Sequence, residues 1–409
     1  MIKTKHNMND FYFFLKVLIY LIFVFSGSFK WIPMPLDLTI LSGILCFFVI
    51  IFELKRINLF NNLLDTSIIL LLFFLNLFLL FSNIYSISIV YASSKSISVL
   101  LNLFTILYPI IVFKKSIFDL VKQIYLGLGV ILISVLLYLY LNDLFVIFRD
   151  SSYSLSKVPT YLIVAMTLST CFIFSFGYKS SLFLHIYRLV ILFLIFQLGG
   201  RGPVLNLGIV MLVYFFLNSD LSITRLFKIK LIYKYLFFFS LFLVFFIIFN
   251  QEIDTLFYDE IDFTRFFSID SYKGDESVLA RANYLIKGVD SIIDNPIFGL
   301  GIGSSGLILA SEDIFNYPHN LFVEAFMEIG IIGALSYLVI YFLFIFGNIS
   351  KLKNNRNLLL IYLVGLLFFL EDNKSNSFDS WRLSIIWIVL FAIEQNRGII
   401  HSKKISLID

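Results

Sequence analysis

Residues 295–337 read NPIFGLGIGSSGLILASEDIFNYPHNLFVEAFMEIGIIGALSY. This segment joins a glycine run to a histidine between proline and asparagine, and then enters an apolar stretch that carries two glutamates a helical turn apart. An apolar stretch of about 20 residues is long enough to cross a bilayer as a helix. The segment therefore predicts a polar site at the mouth of a membrane helix, and most of the remaining chain predicts a scaffold for it.

The composition of the whole chain supports a membrane protein. Of 409 residues, 60% are hydrophobic and only 14% are charged, and the mean hydropathy is +0.94. These values exclude an ordinary soluble globular protein, and the continuous apolar runs lack the alternation of a membrane barrel. Cys46 and Cys171 both lie inside apolar runs, so neither a disulfide framework nor a metal cluster is expected.

We predict an all-α polytopic membrane protein of about 12 transmembrane helices with one large, partly helical non-cytoplasmic loop. Residues 1–250 would form a bundle of about nine helices, 251–321 the large loop, and 322–409 the last helices and a cytoplasmic tail. If both termini lie in the cytoplasm, the cytoplasmic segments carry more lysine and arginine than the short outer connections do. The positive-inside rule therefore favours this orientation. The predicted spans are 11–28, 36–52, 66–82, 96–113, 118–141, 158–176, 182–198, 203–218, 235–250, 322–346, 358–370 and 381–395.

The large loop is acidic and contains one predicted helix. Residues 251–318 hold 12 acidic side chains and four basic ones. From 277 to 294 apolar residues recur at helical spacing, with Asp275 and Ser277 as candidate N-caps and Asn295-Pro296 as the stop. Arg281 lies off this apolar stripe, so we expect it to face water or a ligand.

His319 is the candidate catalytic residue, since it is the only histidine predicted on the non-cytoplasmic side. Asn320 is positioned to cap the next helix, and Asn320, Glu324 and Glu328 then share one helical face. Carboxylates in an apolar span are costly and mark functional candidates. The alternative is that they favour the positive helix N-terminus and lie at the membrane interface.

Two glycine-rich stretches accompany the histidine. Residues 301–306, which include Gly301 and Gly303, spell GxGxxG, but no strand-to-helix context supports a dinucleotide site. The run predicts either a flexible turn or a backbone surface that a phosphate or glycan can approach. Arg201 lies in LGGRGPV between two spans, where it is either a headgroup-binding cation or a plain interfacial anchor.

Four motifs in order resemble the bacterial O-antigen ligase and O-antigen polymerase family: LGGRGPV (198–204), LARANYLIKG (279–288), NPIFGLGIGSS (295–305) and YPHNLFVEAFMEIGIIGAL (317–335). The resemblance covers roughly residues 195–345. It implies an integral membrane glycosyltransferase that uses an undecaprenyl-pyrophosphate-linked glycan at the periplasmic face of the inner membrane. Carried over residue by residue, it assigns function to Arg201, Arg281 and His319.

The residues fit this chemistry without the resemblance. Arginines remain charged and bind phosphate oxygens through parallel donors, which suits Arg201 and Arg281 to a pyrophosphate. A sugar hydroxyl needs a base near neutral pH, which suits His319, and Glu324 is placed to orient the imidazole. Inversion at the anomeric carbon is expected, with no cofactor and, since no metal-ligand set is visible, no metal. Asn320, Glu324, Glu328, Gly301 and Gly303 are supporting residues.

Between the two activities, the stretch at 28–39, SFKWIPMPLDLT, is more similar to polymerases than to ligases. The expected partners are a lipid-linked glycan donor, a glycan acceptor, membrane lipids and, for a polymerase, a chain-length regulator protein; no nucleic acid is expected. A transporter of lipid-linked oligosaccharides is an alternative, but no paired, interrupted spans are visible. A non-catalytic scaffold would not explain the concentration of Arg281, His319 and Glu324 around one loop.

Overall fold

The structure is a computed structural model that describes residues 2–26, 37–54, 67–113, 116–142, 160–198, 201–218, 276–347 and 349–405. The described residues are helical with connecting turns and contain no strand. The chain divides into two units. One consists of Met1–Val210 with Arg281–Asp409, and the other of Met211–Ala280, of which only the two ends are described.

We number the helices of the described residues in chain order. They are α1 (Ile2–Phe25), α2 (Leu38–Leu54), α3 (Ser67–Phe81), α4 (Val90–Val112), α5 (Phe118–Leu141), α6 (Thr160–Ser175), α7 (Leu182–Gln197), α8 (Arg201–Asn218), α9 (Glu276–Asp294), α10 (Ser304–Ala310), α11 (Leu321–Phe346), α12 (Ile349–Leu352), α13 (Arg356–Asp372) and α14 (Arg382–Ile405).

Eleven of the predicted spans fall on helices of the described residues, and the span at 235–250 lies outside them. Within the part of the chain that the structure describes, four helical segments are long and apolar enough to cross a membrane: Ser67–Ile84, Val90–Val112, Phe118–Leu141 and Leu321–Phe346. Four shorter apolar helices accompany them: Leu38–Leu54, Tyr161–Ser175, Leu182–Gln197 and Gly202–Leu217. These helices indicate a membrane protein.

The core of the larger unit lies around α14, which packs against α13, α4, α3 and α1. Residues 385–392 of α14 are buried on every side, as expected for a helix that is apolar all round. The outward faces of other helices expose large apolar side chains such as Phe52 and Leu141. An apolar outer surface is what a helical bundle presents to lipid.

Helix α11 is interrupted inside its apolar run. The backbone is not helical at Ile329 or at Gly330, where φ is +65° and ψ is −160°. Three backbone hydrogen bonds of 2.9 Å join the loop at 296–301 to residues 327–331 across this interruption. A broken membrane helix needs such replacement partners, because lipid offers none. Gly330 lets this loop approach closely, because an added Cβ atom would overlap the backbone of Ile297 and Phe298.

Helix α9 confirms the predicted loop helix, but its faces are reversed. The predicted apolar stripe is largely exposed, including Val289 at 52%. The opposite face, which includes Arg281, packs on the protein: Gly288 lies against Val323 and Met327 of α11. Because Gly288 has no side chain, the two helices approach each other closely there. Arg281 therefore lies on the face of α9 that packs on the protein, and the apolar stripe lies on the opposite face.

Replacement of Gly330 tests the interruption. A Cβ atom at this position would overlap the backbone of Ile297, and the observed φ is unfavourable for any L side chain. We expect Gly330→Ala to lower the free energy of unfolding by at least about 1–3 kcal/mol from backbone strain. The readout is the apparent Tm in detergent, and Gly127→Ala in α5, with no atom within 4 Å of the added Cβ, should leave it nearly unchanged. Equal Tm values would contradict the interrupted helix.

Candidate functional site

A fully buried ion cluster joins α4 to α11 at the end of the bundle where His319 lies. The ammonium of Lys95 contacts the Oε1 atoms of Glu324 and Glu328, at 2.6 Å for Glu328, and all three side chains are 0% exposed. Buried charges must pair, because isolated charges lose their hydration without compensation. The two glutamates that the sequence singled out are therefore both paired with one lysine, which lies 229 and 233 positions away in the chain.

The two glutamates also hold neighbouring segments. Glu324 accepts hydrogen bonds from the Ser377 hydroxyl at 2.8 Å and the Phe378 backbone N–H at 3.2 Å. Glu328 accepts from the Gly303 backbone N–H at 2.9 Å and the Ser305 hydroxyl at 3.2 Å. With both carboxylate oxygens engaged in these contacts, Glu324 does not orient the imidazole of His319 as the sequence suggested.

The glycine run serves the packing of the protein rather than an open ligand surface. Gly301 and Gly303 are buried and have φ of +86° and +76°. Added Cβ atoms would overlap Ser86 and the backbone of Ala92 respectively. The expectation that a phosphate or glycan approaches these glycines is therefore wrong. The glycines are needed because the start of α4 and the residues before it pack directly against them.

Asp313 fastens the loop between α10 and α11 to the N-terminus of α4. Its carboxylate accepts hydrogen bonds from the backbone N–H groups of residues 89–91, at 2.8 to 3.1 Å, and from the Ser88 hydroxyl at 2.6 Å. The Ser88 bond and these backbone bonds hold the pKa of Asp313 well below its usual range. The helix dipole also stabilises a carboxylate at this helix end. The chain that leads to His319 is therefore anchored to the N-terminus of α4.

His319 adopts a strained backbone next to a helix cap. Its φ is +57°, in the left-handed region that costs a non-glycine residue about 1–3 kcal/mol. Asn320 then caps α11 as predicted, accepting a 3.1 Å hydrogen bond from the Val323 N–H, and its amide donates to the Asn373 carbonyl at 2.9 Å. The cap and the cross-link hold the strained residue in place.

The imidazole of His319 is half-buried between aromatic rings. Its centroid is 4.4 Å from that of Tyr317 and 6.4 Å from that of Tyr284, and the Tyr284 ring is nearly parallel to it. Burial, followed by the charge of Arg281, lowers the pKa of His319 to about 4, although a backbone hydrogen bond to Ser375 opposes the shift. The imidazole is therefore neutral at pH 7. Its Nδ1 atom is buried and has no hydrogen-bond partner among the described residues.

One cation, Arg281, acts on this neutral imidazole. Arg281 from α9 is half-buried, and its charge acts on His319, Tyr317 and Lys374. Burial, and then Glu324 and Asp379, raise the pKa of Tyr317 to about 12, so its hydroxyl stays protonated. The predicted association of Arg281 with His319 is thus present in the structure.

Arg201 begins α8, and its side chain lies outside the described part of the chain. The next residue, Gly202, is described and is buried. An added Cβ atom at Gly202 would overlap the ammonium of Lys374. Since Lys374 also interacts electrostatically with Arg281, the start of α8 lies at the same end of the bundle as His319.

Lys95 and Lys374 were missed as site residues because both were assigned to short connections between spans. Helix α4 begins at Val90, six residues before the predicted span, so Lys95 lies in its second turn and is buried. A signal was present: two glutamates in an apolar span require a cation. No comparable signal marked Lys374. Among the described residues, no group of three or more His, Cys, Asp or Glu side chains could hold a metal ion.

The middle of the chain is similar to a known protein family. Residues 186–338 match a family model described as O-antigen ligase. The match includes α9, the glycine run and His319, and it supports the O-antigen ligase and polymerase family, whose members are glycosyltransferase-like enzymes. No curated protein matches the chain.

Removal of Lys95 tests the buried cluster. Lys95→Met would leave two buried carboxylates without their cation, which is expected to cost about 3–5 kcal/mol of folding free energy. The measurement is the apparent Tm and the yield of folded protein in detergent. Lys351→Met, at a half-buried position outside the cluster, is the control and should leave both values close to wild type. A wild-type Tm for Lys95→Met would show that the cluster does not stabilise the fold.

The electrostatic link between Arg281 and His319 is measurable by NMR. We expect a pKa of about 4 for His319, and a higher value in Arg281→Gln because one cause of the lowering is removed. With four histidines in the chain, selective labelling and a His319→Gln spectrum assign the signal. Lys287→Gln, whose ammonium donates to the Leu309 carbonyl, should not change it. If the pKa of His319 were the same in Arg281→Gln as in the wild type, Arg281 would not act on the imidazole.

The same shift predicts a pH dependence of stability. Because the folded pKa lies below the unfolded value of 6.5, the unfolded chain binds the His319 proton first as the pH falls. This residue therefore lowers the free energy of unfolding progressively between pH 6.5 and about 4, and His319→Gln should lose that component.

Proposed function

We propose, from an O-antigen ligase domain at residues 186–338 in a membrane protein, that this chain transfers a glycan from a polyprenyl pyrophosphate to a sugar hydroxyl. The observation that carries the proposal is the neutral imidazole of His319, whose buried Nδ1 has no partner among the described residues and which lies beside a cation. An unprotonated nitrogen accepts a proton from an acceptor, and a cation stabilises a phosphate leaving group.

In the proposed reaction, the acceptor hydroxyl loses its proton to Nδ1 of His319 as its oxygen bonds to the anomeric carbon. The bond from that carbon to the phosphate oxygen breaks, and its electron pair stays on the released polyprenyl pyrophosphate. Attack from the face opposite the phosphate inverts the configuration.

Arg281, with Arg201, would bind the pyrophosphate of the donor. The first is half-buried beside His319, and the second begins α8, whose next residue adjoins Lys374. Guanidinium groups hold phosphate oxygens through two parallel donors, which positions the donor as well as stabilising the leaving group. The reaction as proposed uses no metal and no cofactor.

We propose that the acceptor is a second lipid-linked repeat unit, which makes the protein a polymerase of O-antigen or a related surface polysaccharide. The reaction would take place at the periplasmic face of the inner membrane, with both termini in the cytoplasm and a chain-length regulator protein as partner. The family description favours a second candidate, an O-antigen ligase that transfers the glycan to lipid A-core.

The gel pattern of lipopolysaccharide separates these activities. Deletion of the gene should leave core with a single repeat unit if the protein is a polymerase, and bare core if it is a ligase. A full ladder would contradict both. Complementation with His319→Ala, inserted at the normal level, should reproduce the deletion pattern, because loss of a general base slows transfer by about 10²- to 10⁴-fold.

His185→Ala is the matched histidine control. His185 lies in α7, where its ring nitrogen bonds to the Ser180 hydroxyl, and its replacement should restore the ladder. A full ladder with His319→Ala would exclude the histidine as the base.

A further inference from the structure

Lys374 lies in the turn between α13 and α14, outside the residues that match the family model. Its side chain is half-buried, and its ammonium lies against the bare Cα of Gly202. Gly202 is helical and needs no unusual φ, so the absence of a side chain there is explained by the room that the ammonium occupies. A lysine from one end of the chain is thus fitted to the start of α8.

The position is electrostatically unfavourable for a cation. The ammonium lies at the first turn of α8, where the helix dipole is positive and backbone N–H groups have no intrahelical partner. Burial lowers the pKa of Lys374; the charge of Glu371 opposes this shift, and the charge of Arg281 adds to it. Glu371 also accepts a 2.8 Å hydrogen bond from Asn206.

Neither cation has an acid partner of its own at bonding distance among the described residues. Arg281 forms no ion pair or hydrogen bond with them, and neither does the Lys374 ammonium, although Glu371 is close. A lysine against a helix N-terminus, with an arginine within electrostatic reach, forms a site for an anion with several oxygens. A phosphate or pyrophosphate group has that chemistry.

We infer that Lys374 is a binding residue for the pyrophosphate of the donor, as a third cation beside Arg281 and Arg201. This inference rests on the proposed function and adds a residue that the family match does not cover. A compact ammonium interacts with oxygens of either phosphate as a point charge, whereas the guanidinium of Arg281 binds a pair of oxygens in one plane.

The turn that carries Lys374 is also tied to the catalytic histidine. The residue before it, Asn373, accepts the amide hydrogen bond of Asn320, which adjoins His319, and the backbone of the residue after it, Ser375, acts to raise the pKa of His319. A phosphate oxygen held by Lys374 would therefore lie on the same turn that holds Asn320, the residue next to His319.

Binding of inorganic pyrophosphate and of undecaprenyl pyrophosphate to the purified full-length protein, followed by calorimetry, tests the inference. Loss of one charge-assisted contact in Lys374→Gln should raise the Kd of both by about 10- to 100-fold. Lys374→Arg keeps the charge but is larger than the space beside Gly202, so an intermediate loss is expected. Lys287→Gln, another lysine that contacts the same end of the bundle, should bind as wild type does.

Gly202→Ala is the second variant, because it displaces the ammonium while Lys374 remains. It should weaken binding as Lys374→Gln does, and in turnover assays both should raise KM for the donor while KM for the acceptor stays unchanged. If Lys374→Gln does not fold, Gly202→Ala and Lys374→Arg decide the matter by the same measurements.

The outcomes separate this inference from the proposed function. If wild-type protein binds pyrophosphate and the Lys374 and Gly202 variants bind equally well, the inference is wrong and the proposed function stands. If wild-type protein binds neither compound, both are wrong. If phosphatidylglycerol vesicles compete as well as undecaprenyl pyrophosphate, the cation binds a lipid headgroup and the inference is overturned.

Discussion

The ion cluster of Lys95, Glu324 and Glu328 is the constraint on which the site depends. In an apolar bundle these side chains are stable only in contact, so α4 and α11 are fixed against rotation or sliding past each other. The remaining hydrogen-bonding capacity of the carboxylates binds the glycine run and the turn that contains Ser377. One cluster therefore sets the relative positions of the segments that surround His319.

The loop that carries His319 is held at both ends by helix capping. Asp313 caps the N-terminus of α4, and Asn320 caps α11, so the chain between them has little freedom. This fixation explains how His319 keeps a left-handed backbone conformation that an unconstrained chain would leave. The interruption at Gly330 also restricts the chain before His319, because the loop at 296–301 is bonded to α11 in place of the lost helical hydrogen bonds.

The helices could be predicted from the sequence because membrane helices are encoded as long apolar runs. The cap at Asn320 and the helix α9 could also be predicted, because each follows from a local sequence pattern. Contacts between distant segments could not. Spacing does not reveal that Lys95 meets two glutamates more than 200 residues away, or that Gly202 makes room for Lys374. The role of the glycine run could not be predicted for the same reason. Glycine permits the close approach of any group, and only the fold shows that the group is the start of α4.

The low basicity of His319 is consistent with its proposed role once the donor is considered. Burial is the larger cause of its lowered pKa and the charge of Arg281 is the second, and a pyrophosphate bound by Arg281 and Lys374 would oppose that charge. The imidazole would then become a stronger base only when the leaving group is in place. A histidine already protonated in the empty site would have no free Nδ1 to receive the acceptor proton, and its charge would add to two cations. Neutrality before binding therefore follows from the burial of the ring and then from the charge of Arg281, and a bound pyrophosphate would offset the second of these causes.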